Sequence, residues 1–368
     1  MAALTADPFH LERHGIILDQ RPGDPDEAWG VLNPGGTCGP DGAFYLFPRL
    51  VACGNYSRIG CARITFDKAG TLAAVERLGL VLEPRESYEV SRAGGGVEDP
   101  RVTYVEALGQ YVMAYTAYIP HHPRIALAVS RDLQTWTRLG PLHFSLLPDG
   151  YDLNKAGNKD GVVFPDLLVD PLGRPAFAIM HRPTLAVDYH RDGCDVTLPP
   201  CGVESQEHIW ISYVPLDRVQ HDIHQLTQLS GHRQVLAPQA AWEQVKIGSG
   251  PPPVRLPYGW LLLYHGVSRA VDTTGERIRY SVGAAILDLE DPTRVLYRSP
   301  HPILEPDAPY EAAGRVSHVV FPTATDLHPD GRLDVYYGAA DSRIGLASTK
   351  TPPELPTGGS GGVSPITS

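Results

Sequence analysis

The sequence predicts an all-β protein, a five-bladed β-propeller whose blades surround an axial active-site pocket. Three observations predict it. A glycine-led turn into a short, apolar, aromatic-rich strand recurs five times. A proline-containing segment precedes each copy. The chain is rich in glycine and proline, 37 and 35 of 368 residues, and shows no long amphipathic helical period.

The glycine-led strands read GAFYLFPRL (Gly42–Leu50), GQYVMAYTAY (Gly109–Tyr118), GRPAFAIMHRP (Gly173–Pro183), GWLLLYHG (Gly259–Gly266) and GRLDVYYGAAD (Gly331–Asp341). Their first glycines lie roughly 65–85 residues apart. Repeats of this size are single supersecondary units that bury a face only against a neighbour, and five of them fill the chain. The preceding segments are LNPGG (Leu32–Gly36), VEDPR (Val97–Arg101), VFPD (Val163–Asp166), GSGPPPV (Gly248–Val254) and VFPT (Val320–Thr323). Proline lacks a ladder donor and belongs at a strand start, edge or bulge. These segments are therefore expected to be the innermost strands and the glycine-led ones their neighbours. Five polar clusters would then converge on the axis: Asn33 and Arg49; Asp99, Arg101 and Tyr115; Lys159, Asp166, His181 and Arg182; Lys246 and His265; Tyr337 and Asp341. Taken singly, each cluster also reads as turn residues and solvated strand ends. In register, five times, it reads as a site.

Composition narrows the function. A net charge of −11 argues against nucleic acid or an anionic membrane as main partner. Basic residues nonetheless recur in the polar clusters, which points to a small anionic ligand such as phosphate. The five cysteines, Cys38, Cys53, Cys61, Cys194 and Cys201, form no CxxC pair, so reduced thiols in a cytoplasm are expected, with a Cys194–Cys201 bridge as the alternative. No apolar leader or membrane span is visible. Among fifteen histidines there is no HExxH or Cys/His ligand spacing, and no dinucleotide or Walker motif appears, so neither metal nor cofactor is expected. The expected organisation is one catalytic domain over 1–350 and a disordered Gly/Pro/Ser-rich tail over 351–368.

The densest functional signal is Gly94-Gly95-Gly96-Val97-Glu98-Asp99-Pro100-Arg101. Glycines admit close approach by a backbone or ligand. In a regular strand, Glu98 and Asp99 face opposite sides, so one carboxylate serves the pocket and Arg101 shares the face of Asp99.

This segment resembles glycoside hydrolase family 130, the inverting β-mannoside phosphorylases and β-mannosidases. GGVEDPR with YVMAYTAY, NKDGVVFPD with HRP, KIGSGPPPV with GWLLLYHGV, and YE..GRV..VVFPT with VYYGAAD are similar to that family's ordered blocks. The resemblance implies a five-bladed propeller and makes Asp99 the catalytic acid, protonating the glycosidic oxygen through the mannosyl 3-hydroxyl while phosphate attacks the anomeric carbon to give α-mannose 1-phosphate. Such a reaction needs a held phosphate rather than a second catalytic carboxylate. Arg49, Lys159 and Arg182 are the cradle candidates, with His265 as a further donor. Tyr115 would help close the pocket, and Asn33, Arg101, Tyr337 and Asp341 would bind sugar. Pro48, ahead of Arg49, departs from the family wording and puts that arginine's aim in question. Lys159 in NKDG also reads as a solvated turn residue, and Arg58 in YSRIG as either pocket or loop brace. Inorganic phosphate would be a co-substrate and an oligosaccharide the partner, and self-association remains open.

Two rival functions stand beside phosphorolysis. A phosphate-independent inverting β-mannosidase would need a general base, for which Glu204, Glu207 and Glu243 are candidates. A non-catalytic carbohydrate-binding propeller is the third. The acceptor sugar is not legible, and the segment Val187–Glu207 is the expected rim.

Overall fold

The computed structural model describes residues 7–67, 70–91, 94–120, 122–184, 189–191, 194–196, 207–272 and 275–357. The chain is all-β. It opens with β1 (Glu12–Leu18) and then builds a first antiparallel meander from β2 (Gly30–Cys38), β3 (Phe44–Ala52), β4 (Tyr56–Phe66) and β5 (Leu72–Leu82). The second meander is β6 (Gly95–Val105), β7 (Gln110–Tyr118), β8 (Arg124–Ser130) and β9 (Thr137–Pro141). After β10 (His143–Phe144), the third uses β11 (Asn158–Val163), β12 (Leu168–Val169) and β13 (Pro175–Pro183). A hairpin of β14 (Tyr189–Arg191) and β15 (Cys194–Val196) separates these from β16 (Ile209–Pro215). The short helix α1 (Leu216–His221) leads to β17 (Gln228–Leu236), whose edge is joined by β10. The fourth is β18 (Lys246–Ser249), β19 (Val254–Leu256), β20 (Gly259–Asp272), β21 (Gly275–Leu287) and β22 (Val295–Arg298). The fifth, after α2 (Pro309–Ala312), is β23 (Val320–Leu327), β24 (Arg332–Ala339) and β25 (Arg343–Lys350), and β1 completes it by pairing with β25.

All five glycine-led segments form the strand beside the one that precedes them in the repeat; the proline lies within β2, β6 and β23, but just after β11 and β18, where the strand has already ended. The leading glycines at 42, 109, 173 and 331 have φ between +58° and +85°, the left-handed turn that glycine adopts without a Cβ penalty. Apolar side chains form clusters between successive sheets. Val112, Leu127, Ile179 and Trp210 join the second to the third, while Phe44 and Leu46 of the first pack with Tyr336 and Leu346 of the fifth. Gly95 and Gly96 close the joint between the first two meanders. Ser57 pairs with Gly96 in parallel, and a Cβ on Gly96, at φ +148°, would collide with the Ser57 backbone. The glycine run is thus spent on backbone approach.

Beyond β25 the chain stays attached. The Tyr258 hydroxyl donates to the Pro352 carbonyl oxygen at 2.9 Å, and Leu355 packs on the cluster between the fourth and fifth sheets. Of the segment expected to be disordered, 358–368 lies outside the described residues, as does the Cys194–Cys201 pairing. Cys38, Cys53 and Cys61 are free thiols. No helix is long and apolar enough to cross a membrane among the described residues.

Candidate active site

The first strands of the first three meanders are not regular, and their irregularities build the candidate site. Register shifts fall between Leu32 and Gly35, between Glu98 and Arg101 and between Lys159 and Val162. At these bulges Asn33, Asp99 and Asp160 take φ of +43°, +47° and +57°. Asn and Asp tolerate this left-handed region better than other non-glycine residues. The bulge corrects the expectation that Glu98 and Asp99 face opposite sides, because both reach Arg49.

Asp99 Oδ1 accepts from Asn33 Nδ2 at 2.9 Å and from Arg49 Nη1 at 3.1 Å. Arg49 also donates to Glu98 Oε1 at 2.7 Å and to Ser57 Oγ at 2.9 Å. Pro48 falls where the β2–β3 ladder skips, so it leaves the arginine's aim intact. Lys159 sits in β11 and not in a turn. Its Nζ is 3.8 Å from Glu98 Oε2 and over the Tyr118 ring. Arg182 donates to Asp160 Oδ2 at 2.6 Å and meets the Glu207 carboxylate. His265 Nε2 lies 3.6 Å from the same Asp160 oxygen, and Lys246 lies over the Tyr280 ring. Arg101 is fully buried. It donates to the Asp99 backbone oxygen and to the carbonyls of Ser249 and Gly250, so it ties the second meander to the fourth and makes no hydrogen bond to the Asp99 carboxylate.

Electrostatics separates these groups. Burial opposes ionisation of Asp99, but Arg49, Lys159 and Arg101 outweigh it and hold the carboxyl below the usual range. Glu98 goes the other way, raised by burial despite Arg49 and Lys159. Burial also raises Asp341, with Asp99 adding to the shift and Arg49 opposing it. Asp160 is driven far below the carboxylate range: burial resists, but Arg182, His265 and Arg101 prevail. Burial, with Arg182, Lys246 and Arg101, lowers His265 to about 3, so it is a neutral donor or acceptor and not a cation. Burial, Arg182 and Lys159 bring Lys246 down to about 7.

The structure therefore gathers Asn33, Arg49, Asp99, Arg101, Lys159, Arg182, His265 and Asp341, drawn from all five meanders. It moves four predicted residues elsewhere. Tyr115 and Tyr337 are buried, their hydroxyls donating to Glu89 and Glu311 at 2.7 and 2.8 Å. His181 is buried against Asn158 and Ser212, and Asp166 pairs with Arg255. Arg58 braces a loop through Asp26 at 2.6 Å. Of the general-base candidates, Glu243 is buried under Tyr264 and Arg298, Glu204 lies outside the described residues, and Glu207 reaches the site through Arg182.

Sequence reasoning did not place Asp160 in the site and missed the aromatic wall of Tyr118, Tyr280 and Phe321. Asp160 sits in the third strand bulge, equivalent to those of Asn33 and Asp99, which only the structure reveals. A second repeat also went unread. Pro84…Tyr88-Glu89, Pro238…Trp242-Glu243 and Pro306…Tyr310-Glu311 share one spacing. Each glutamate accepts a tyrosine hydroxyl and an arginine: Tyr115 and Arg138, Tyr264 and Arg298, Tyr337 and Arg13.

Residues 47–352 match the sequence model Glyco_hydro_130, described as beta-1,4-mannooligosaccharide phosphorylase. The chain is 29% identical over 311 residues to the 1,2-beta-oligomannan phosphorylase of Thermoanaerobacter sp., spanning 83% of this chain and 86% of that one. It is 30% identical over 287 residues to the beta-1,4-mannooligosaccharide phosphorylase of Ruminococcus albus, spanning 77% and 72%. The solved structure of the beta-1,2-mannobiose phosphorylase from Listeria innocua with beta-1,2-mannobiose shares the fold, with a TM-score of 0.67 at 23% identity over 94% of this chain and 97% of that one. The match covers most of the chain, including Arg49, Asp99, Lys159 and Arg182, and on that ground the chain belongs to glycoside hydrolase family 130.

Proposed function

We propose that this chain cleaves a β-mannosidic bond by phosphorolysis with inversion, giving α-mannose 1-phosphate and an acceptor sugar. One observation carries the reading: Arg49 from the first meander and Lys159 and Arg182 from the third surround the bulge carboxylates Glu98, Asp99 and Asp160. The phosphorylase relatives agree with it. The scaffold is taken as one domain, a closed five-bladed propeller. Support for closure comes from the β1–β25 pairing and from the packing of the first sheet on the fifth.

The chemistry follows from the charges. Without phosphate, Arg49 and Lys159 keep Asp99 ionised, the wrong state for an acid. A phosphate in the cradle offsets those cations and raises the Asp99 pKa, so the acid is loaded when the nucleophile arrives. Asp99 then gives its proton through the sugar 3-hydroxyl to the leaving oxygen. The C–O bond to the acceptor breaks as a phosphate oxygen bonds the anomeric carbon from the other face, and the phosphate hydroxyl proton restores Asp99 or leaves to solvent. Asn33 orients Asp99, His265 acts as a neutral hydrogen-bond partner, and Asp341 and the aromatic wall hold the sugar.

Hydrolysis is the second reading, because Glu207 puts a carboxylate on Arg182. Product analysis from β-mannobioses with and without inorganic phosphate separates the two. Sugar phosphate formed only with phosphate is expected, and free mannose at the same rate without it would overturn phosphorolysis. Asp99→Asn should lower kcat by about 10²–10⁴ with folding retained. Unchanged turnover would remove Asp99 from the chemistry.

A further inference from the structure

Carboxylates hold Arg182 from two sides. Its Nε donates to Asp160 Oδ2 at 2.6 Å, and its Nη1 meets Glu207 Oε2. Glu207 sits where the third and fourth meanders meet. Its backbone carbonyl accepts from the Ile247 amide at 3.2 Å, and Thr184 Oγ1, just past β13, donates to its Oε1 at 3.4 Å. Four residues thereby stand in one row across that seam. Lys159 and Arg182 are direct cross-strand partners and share a face, Arg182 pairs with Glu207, and Glu207 bridges in parallel to Lys246. Burial lowers the Lys246 pKa, and Arg182 and Lys159 add to the shift, in keeping with this crowding.

The row sets one acceptor among cations. Glu98 and Asp160, the other carboxylates paired with Lys159 and Arg182, have side chains only 3% and 2% exposed, against 22% for Glu207. Of the two Glu207 oxygens, Oε2 is buried against Arg182, which leaves Oε1, held by one long hydrogen bond, to meet a ligand. An ionised carboxylate only accepts hydrogen bonds, whereas Arg49, Lys159 and Arg182 only donate. A cradle of donors alone holds any tetrahedral dianion of the right size. Hydrogen phosphate and sulfate share shape and charge and differ by one proton. The P–OH of hydrogen phosphate donates to Glu207. Sulfate has no proton to give at neutral pH, so it sets an oxygen lone pair and a charge against the carboxylate.

We propose that Glu207 is a specificity-determining residue, which admits protonated oxyanions to the cradle and rejects sulfate; the proposal rests on the phosphorolysis reading above. The same carboxylate that holds Arg182 in place then reads the proton on the anion that Arg182 binds. Sulfate, a dead-end occupant of a donor-only cradle, is kept out without any loss of positive charge.

Titration calorimetry of inorganic phosphate, arsenate and sulfate at neutral pH, on the unsubstituted enzyme and on Glu207→Gln, tests it. The unsubstituted enzyme should bind phosphate and arsenate, which both carry a proton, within about threefold of each other, and sulfate at least about tenfold more weakly, the worth of one hydrogen bond to a charged group. Glutamine supplies an amide donor, so in Glu207→Gln sulfate should come within about twofold of phosphate. The arsenate comparison keeps the test sound if Glu207→Gln folds poorly. Sulfate bound as tightly as phosphate by the unsubstituted enzyme, arsenate excluded along with sulfate, discrimination that survives Glu207→Gln, or no anion bound at all overturns the assignment. Failure of phosphorolysis would look different: free mannose released from β-mannobiose at the same rate without phosphate, and lost in Glu207→Gln because the carboxylate then serves as the base for water.

Discussion

Lys246 holds its charge conditionally. Burial and the nearby Arg182 and Lys159 bring its pKa down to about 7, with only Asp160 opposing. Below that pH the ammonium adds to the cradle, and above it the contribution is lost. Phosphate affinity should therefore fall as pH rises from 6 to 8. Lys246→Arg, whose charge does not titrate there, isolates the effect from phosphate's own ionisation. The phosphate KM of the unsubstituted enzyme should climb several-fold more over that interval than the variant's, up to about tenfold per unit. Parallel profiles would place Lys246 outside the phosphate site. At this scale the sequence revealed residue types better than their directions. That Arg49, Asp99, Lys159 and Arg182 come together was legible because their blocks are distinctive. Tyr115 and Tyr337 were not, because the face of a tyrosine depends on where its strand's partner bulges. Neutral His265 was equally hidden, since its state is set by burial and three cations distant in sequence.

The repeating elements explain both outcomes. Glycine turns and aromatic runs made the second strand of each meander readable, since the turn needs glycine and the strand needs pleat-filling side chains. The bulged inner strands follow from no single propensity. Asn33, Asp99 and Asp160 turn left-handed only once the neighbouring strand fixes the register. The Pro-to-Glu repeat is the opposite case, a local signature whose purpose appears only in three dimensions. In the fifth meander, Glu311 is fully buried and takes Arg13, Tyr337 and the Ala308 amide. Arg13 belongs to β1, so one carboxylate binds the first strand to the last sheet. Arg13→Met should cost about 1–3 kcal/mol in denaturant unfolding, the penalty for leaving a buried acceptor short of a donor. A change below about 0.5 kcal/mol would make the contact ornamental.

At the scale of the whole molecule, position matters more than contact. Gly96 touches no substrate in the proposed mechanism, yet its backbone lies on Ser57 where the first two meanders meet. Gly96→Ala demands both a strained φ and a parting of those strands, about 1–3 kcal/mol for the backbone alone. Asp99, Arg49 and the Ser57 hydroxyl that holds Arg49 all sit beside that seam. Activity should fall with stability, and an alanine variant with normal turnover and melting would show the seam to be loose.

The pairing of β1 with β25 also orders events in time. Within this chain β1 is synthesised before every other strand and its partner after all of them, so Glu12 waits for Ser348. Until then one edge of β1 is an open template for strangers. Contacts so distant in sequence form slowly, and the last step of maturation becomes the closing of a clasp by the chain's own two extremities. A nascent protein stalled before β25 would have every residue through Lys246 and His265 already made and β1 still without its partner strand.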